Sequence, residues 1–216
     1  MSTIPQLLPV EVNSEVIKNT VLTNAVKMLT ESKLLLKENQ QKNIDKLIAT
    51  QTDDFIYKIK LDSPINDTDE AAIFIIKIFN QKITAINKSS GIVDFLHEFK
   101  NNPKILIVKS INSKAAQHIV SSYPDSEIFT EKDLMINLID HVSVPKHIPL
   151  TKEESEQIVI EYNAKKKSFP KMFDSEPVSR YYNMKSGDIC RIIRSSETSC
   201  LVPYYRQVIR GHNQSD

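Results

Sequence analysis

Residues 72–79 read Ala-Ile-Phe-Ile-Ile-Lys-Ile-Phe, a nearly continuous β-branched and aromatic run with a single charge. Such a run suits a strand buried on both faces, and a strand of that kind needs helices against its sheet. The flanking segments supply them. Across residues 13–36, apolar side chains recur at Ile17, Val21, Ala25, Met28 and Leu29, the spacing of one helix face, with Asn13 or Ser14 as N-cap. A polar stretch over 37–42 gives way to Ile44, Leu47 and Ile48, which predicts a second, shorter helix. Residues 55–61 alternate apolar and polar and read as a strand, joined to the central run by a turn-rich loop, Asp62-Ser63-Pro64-Ile65-Asn66-Asp67. A helix over 91–99, a strand at 105–108 after Pro103, a helix over 113–121 and a short strand at 127–129 complete the series. Alternating strands and helices make residues 1–138 an α/β domain, helices first and then a mixed sheet.

The texture changes after Leu138. In His141-Val142-Ser143-Val144-Pro145-Lys146-His147-Ile148-Pro149, two prolines rule out a continuous helix and favour an extended connector, so the domain boundary is placed here. Thr151-Lys152-Glu153-Glu154 is a capping box that starts a helix running to about Tyr162, burying Ile158, Val159 and Tyr162. A basic turn, Lys165-Lys166-Lys167, precedes a short helix opened by Pro177, and strands over 189–194 and 204–209 close a small α+β domain spanning 139–210, with 211–216 as a tail.

Composition narrows the function by exclusion. A chain of 216 residues that is 40% hydrophobic and 25% charged is an ordinary globular protein, long enough for two modest cores. Its formal net charge of +1 argues against a general nucleic-acid-coating role. Cys190 and Cys200 are too few for a disulfide framework and lack further ligands at zinc spacing, which points to a reducing compartment. The start of the chain is apolar but broken by Pro5 and Pro9 and has no basic n-region, so no secretory signal is expected, and no apolar run approaches the roughly 20 residues a bilayer span needs.

Catalytic patterns are missing too. Gly91, Gly187 and Gly211 are the only glycines, leaving no phosphate-cradling loop, and the five histidines never fall at i, i+4. There is no nucleophile elbow, and neither cysteine has a nearby histidine. A metal nuclease would need a carboxylate two residues before a strand lysine; at Ile75-Ile76-Lys77 that position is isoleucine. No catalytic residue, metal or cofactor is expected. The basic residues Arg180, Lys185, Arg191, Arg194, Arg206 and Arg210 suit phosphates or acidic protein surfaces as well as a solvated face. Arg194-Ser195-Ser196-Glu197-Thr198 suits a self-capped turn, and Tyr181-Tyr182 and Tyr204-Tyr205 are aromatics of the kind found at interfaces or in cores.

These blocks carry a resemblance. The 141–147 connector, the 151–154 capping box, Glu176-Pro177-Val178-Ser179-Arg180-Tyr181-Tyr182, and Gly187 through Arg194-Ser195-Ser196-Glu197-Thr198 to Tyr205-Arg206 occur in the order found in the fifth shared subunit of eukaryotic RNA polymerases, a family with an archaeal counterpart. The likeness is close over about 70 residues; the amino-terminal part resembles the eukaryotic jaw domain in order of elements and over 129–141, without its aromatic, arginine-rich opening helix. Glu176 stands for the family's Asp, Asn183 for a Gly, Ser195 for a Pro and Ser199-Cys200 for Ala-Gly, while Pro203 is expected to interrupt the approach of the last strand.

The resemblance implies a non-catalytic polymerase component with an α/β jaw domain and a carboxyl-terminal assembly domain. Docking on the largest subunit would use His141, Pro145, His147, Pro177, Arg180, Tyr181, Gly187, Arg194, Ser196, Glu197, Thr198, Tyr205 and Arg206, with Arg194 and Glu197 fixing register. Lys77 and Lys82 of the jaw would attract downstream DNA weakly and without sequence preference. Expected partners are therefore the largest and other polymerase subunits and downstream DNA, with no membrane. The divergence of the amino-terminal part from the eukaryotic jaw, together with the Lys, Asn and Ile bias, favours a copy encoded by a large DNA virus, located in a viral factory or virion, over a divergent nuclear subunit. The alternative is a free-standing transcription regulator that binds polymerase transiently.

Overall fold

The computed structural model describes residues 13–50, 55–62, 73–83, 91–123, 125–196 and 200–211. These form two compact units: one takes residues up to 26, 39–61 and those up to 135, the other 27–38, 62 and the residues from 136 onward. The linear division at 138/139 does not contain that interleaving of 27–38 and 62 with the carboxyl-terminal residues.

In the first unit a four-stranded sheet has the order β1 (Ile56–Lys60), β2 (Ile73–Ile83), β3 (Lys104–Ile111), β4 (Ser126–Thr130). β1 is antiparallel to β2, and β2, β3 and β4 are parallel, so the sheet is mixed. Parallel neighbours require crossovers, and helices α3 (Ile92–Glu98) and α4 (Ser113–Ser122) provide them. Their apolar residues Ile92, Phe95, Leu96, Ala115 and Ile119 pack with Ile75, Phe79, Leu106 and Val108 of the sheet. The opposite face is buried as well: Tyr57, Ile59, Phe74, Ile76, Ile105 and Ile107 alternate with the first set. Helix α1 (Ser14–Glu31) buries Val21, Leu22 and Ala25, sets the Lys18 ammonium 4.5 Å from the Phe55 ring, and bonds Asn24 Nδ2 to the Leu134 carbonyl at 2.7 Å. The 72–79 run thus occupies the central position expected of it from Ile73 onward; Ala72 lies outside the described residues, as does the turn-rich loop beyond Asp62. Helix α1 stops at Glu31 rather than near 36, because Lys33 adopts φ 63° and the Leu34 and Leu35 amides bond back to the Leu29 carbonyl, a left-handed termination. Helix α2 (Lys37–Ala49) begins inside the polar stretch, and α5 (Glu131–Met135), which periodicity does not predict, follows β4.

The second unit has a sheet ordered β5 (Lys146–Pro149), β7 (Ile189–Ser196), β8 (Cys200–Ile209), β6 (Lys171–Phe173). Helix α6 (Lys152–Glu161) starts at the predicted capping box, with Thr151 Oγ1 accepting from the Glu154 amide and the Glu154 carboxylate accepting from the Thr151 amide. Its Ile158 joins Leu150, Phe169, Ile189 and Tyr205 in the core, whereas Tyr162 is 52% exposed with its ring 5.5 Å from that of Tyr205. Helix α7 (Pro177–Tyr181) has Pro177 in its first turn.

Pro203 does not interrupt the last strand, contrary to expectation. The Gln207 amide donates to the Pro170 carbonyl and the Leu150 amide to the Ile189 carbonyl, so the paired positions 189 and 207 direct their backbone groups away from the β7–β8 ladder. Register carries the same orientation to 203, opposite Ile193. The missing N–H of Pro203 therefore falls on the outer edge of β8, beyond the three residues that β6 pairs, where no ladder bond is lost.

Candidate functional site

The β7–β8 register decides which expected docking residues share a surface. Arg194 pairs with Val202, Ile192 with Tyr204 and Cys190 with Arg206, and on the other side of β7 His147 pairs with Ile192. His147, Arg194, Tyr204 and Arg206 consequently lie on one face of the sheet. Tyr205, Arg191 and Ile189 lie on the other, against α6. On the first face the Arg194 and Arg206 guanidiniums stand 4.8 Å and 5.7 Å from the centroid of the same Tyr204 ring. Arg194 is exposed and Tyr204 and Arg206 are half-buried. His147 is half-buried, its Nδ1 2.6 Å from the Pro145 carbonyl; burial holds its pKa below the ordinary value, the nearby Arg206 adds to that, and the Pro145 carbonyl opposes it.

The remaining expected residues are scattered. His141 is exposed and closes a turn, its Nδ1 accepting from the Ser143 amide. Pro177 is exposed, Arg180 half-buried, and Tyr181 buried with its ring edge-on to Tyr182. Gly187 takes φ 104°, which a side chain would strain, and its amide bonds to the Val208 carbonyl. Ser196 ends β7 opposite Cys200, while Glu197 and Thr198 lie outside the described residues. In the first unit Lys77 is half-buried with its ammonium 4.9 Å from both the Phe79 and Phe95 rings, a local packing role that sequence reading missed. Lys82 is exposed, beside Ser110 of β3. Tyr204, absent from the expected set, is the residue that joins the two arginines, and only the strand register makes that visible.

Among the described residues no cluster of three or more metal-ligating side chains occurs, and no helix is long and apolar enough to cross a membrane. Residues 136–208 match the family described as RNA polymerase Rpb5, C-terminal domain. The DNA-directed RNA polymerase subunit 5 of Acanthamoeba polyphaga mimivirus is 35% identical over 141 residues, covering 65% of this chain and 68% of that protein. The chain belongs to the Rpb5 family. Similarity extends further in Dictyostelium discoideum, where the DNA-directed RNA polymerases I, II, and III subunit rpabc1 is 28% identical over 195 residues, 88% of this chain and 94% of the relative. The Caenorhabditis elegans RPABC1 is 30% identical over 147 residues, 67% of this chain and 69% of that protein.

Two departures from the Rpb5 pattern have a structural reading. Asn183 and Cys200, standing where glycine is usual, take φ 51° and 57°. Asparagine tolerates that left-handed conformation well; cysteine does so at a cost of about 1 kcal/mol. The two thiols also differ in reach: Cys190 is fully buried and burial pushes its pKa up to about 11, whereas Cys200 is exposed. Burial, with Glu31 next in effect, pushes Tyr182 up to about 12 and Tyr181 higher still. Each of these acids ionises more readily in the unfolded chain. Their stabilisation is complete below about pH 9 and is lost as pH rises through 11 to 12. Alkaline titration of the folded chain should therefore give a late, cooperative rise in tyrosinate absorbance coincident with unfolding of this unit. A thiol reagent at neutral pH should label Cys200 and spare Cys190 until that transition; equal labelling of both would contradict the assigned burial.

Proposed function

We propose that this chain is a non-catalytic subunit of a multisubunit DNA-directed RNA polymerase. It docks on the largest subunit through its carboxyl-terminal unit and contributes its amino-terminal unit to the jaw near downstream DNA. The observation that carries the reading is the 35% identity to a protein named DNA-directed RNA polymerase subunit 5, joined to the Rpb5 C-terminal match over residues 136–208. The mixed amino-terminal sheet supports a structural role, since its strands present apolar residues to both faces and Lys77 is engaged by two rings. Of the two lysines expected near DNA, Lys82 has the exposure that a phosphate contact needs. The viral relative and the Lys, Asn and Ile bias favour a virus-encoded polymerase and a viral factory or virion as its location.

Affinity purification of the tagged chain from producing cells, followed by native mass spectrometry, is the test. A core subunit should copurify one-to-one with the largest polymerase subunit and persist through a high-salt wash. Substoichiometric recovery that disappears on washing would replace this reading with that of a transient regulator. In the intact polymerase, Lys82→Glu should weaken crosslinking of this subunit to downstream DNA, and absence of any such crosslink from the unaltered chain would remove the jaw contact.

A further inference from the structure

We propose that the row formed by Arg194, Tyr204 and Arg206 is the seat for a carboxylate-rich segment of a partner polymerase subunit. This rests on the docking reading above and specifies its chemistry. Three observations converge on it. The two guanidiniums approach one ring, at 4.8 Å and 5.7 Å, from residues on different strands, so two like charges are held near each other by the hairpin itself. The Arg206 Nε is buried with no hydrogen-bond partner among the described residues. Two cations brought to one ring, Arg206 half-buried and Arg194 exposed, make a place of concentrated positive charge that favours an incoming anion. His147, on the same face, feels the Arg206 charge, which disfavours its protonated form, and the Glu176 carboxylate, which favours it.

The geometry favours carboxylates of a protein over nucleic-acid phosphates. Both guanidiniums lie within cation–π distance of Tyr204, and a guanidinium presents a fork matched to a carboxylate. A phosphate backbone is gripped by several cations along a track, whereas here β5 adds His147 and the residue paired with Arg194 on the same face is Val202. A compact site with two anchored forks and an aromatic floor is the arrangement of a protein interface centre. The occupant is thus a loop or strand bearing closely spaced Asp or Glu residues.

The decisive experiment uses the assembled polymerase. The variants Arg194→Lys and Arg206→Lys keep the charge and supply an amine, so zero-length carbodiimide coupling can join position 194 or 206 to any carboxylate in contact with it. Mass spectrometry should then find crosslinks from these positions to Asp or Glu of a partner subunit. In parallel, Arg194→Gln with Arg206→Gln should lower affinity for polymerase depleted of this subunit by about ten-fold at low salt and flatten the salt dependence of binding. If the variant chain binds with unchanged affinity and salt dependence, and no crosslink reaches a partner carboxylate, the proposal is overturned while docking stands. Failure of the unaltered chain to bind the depleted polymerase would overturn docking and the proposal together. Loss of DNA crosslinking with retained polymerase affinity would reassign the row to nucleic acid.

Discussion

Lys104→Met should destabilise the amino-terminal unit by about 3 kcal/mol, the cost of deleting a buried charged donor from several carbonyl acceptors. Lys104 is only 1% exposed, at the first position of β3, between Ile75 of β2 and Ser126 of β4. Its ammonium donates to the Asn102 carbonyl at 2.8 Å and the Phe99 carbonyl at 2.9 Å, with the Lys100 carbonyl at 3.5 Å. Those carbonyls belong to the end of α3 and the turn beyond it, where the helix leaves acceptors unpaired and its dipole is negative. Burial pushes the Lys104 pKa down, and the Asp125 carboxylate pulls it back up. Methionine fills the channel of the lysine stem but withdraws the ammonium from these carbonyls, of which that of Phe99 keeps only the Asn102 amide. Hydrogen exchange should show the loss as faster opening of the β2 and β3 amides, together with a lower urea midpoint. A wild-type midpoint would mean that the α3 end does not depend on the ammonium.

Nothing in the sequence marks Lys104, and the reason is instructive. A lysine just after Pro103 and next to an apolar run reads as the solvated start of a strand, because its acceptors lie in the preceding turn and become visible only when α3 folds back over β3. What was legible depended on local chemistry. The capping box at Thr151, the proline at the first turn of α7 and the 72–79 run each specify structure within a few residues, and the fold follows them. Features set by pairing were not legible. The extended connector becomes the edge strand β5, three residues around Met172 become β6, and Pro203 reads as an interruption until register places it at an outer edge. The docking residues divide the same way: their order along the chain suffices for the family, but the hairpin decides that Arg194 and Arg206 share a ring while Tyr205 faces the opposite side.

That division predicts that Tyr205→Ala abolishes recovery of the chain with polymerase for a different reason from any change at the arginines. Tyr205 is 9% exposed, and its ring meets those of Tyr162 at 5.5 Å and Phe169 at 6.4 Å, edge to face, with the Arg191 guanidinium 5.6 Å from its centroid. Truncating a buried aromatic of this kind costs about 3–5 kcal/mol, comparable with the whole stability of a small domain. Losing it unties β8 from α6 and Phe169, and with β8 goes the register that brings both guanidiniums to Tyr204. Tyr205→Phe keeps the ring contacts and should retain both the melting temperature and copurification. Arg194→Gln alters an exposed side chain and should leave melting unchanged whatever it does to binding. Thermal unfolding measured beside copurification thus separates scaffold from contact. A Tyr205→Ala chain that melts like the unaltered protein and still copurifies would show that the aromatic trio does not hold the docking face in place.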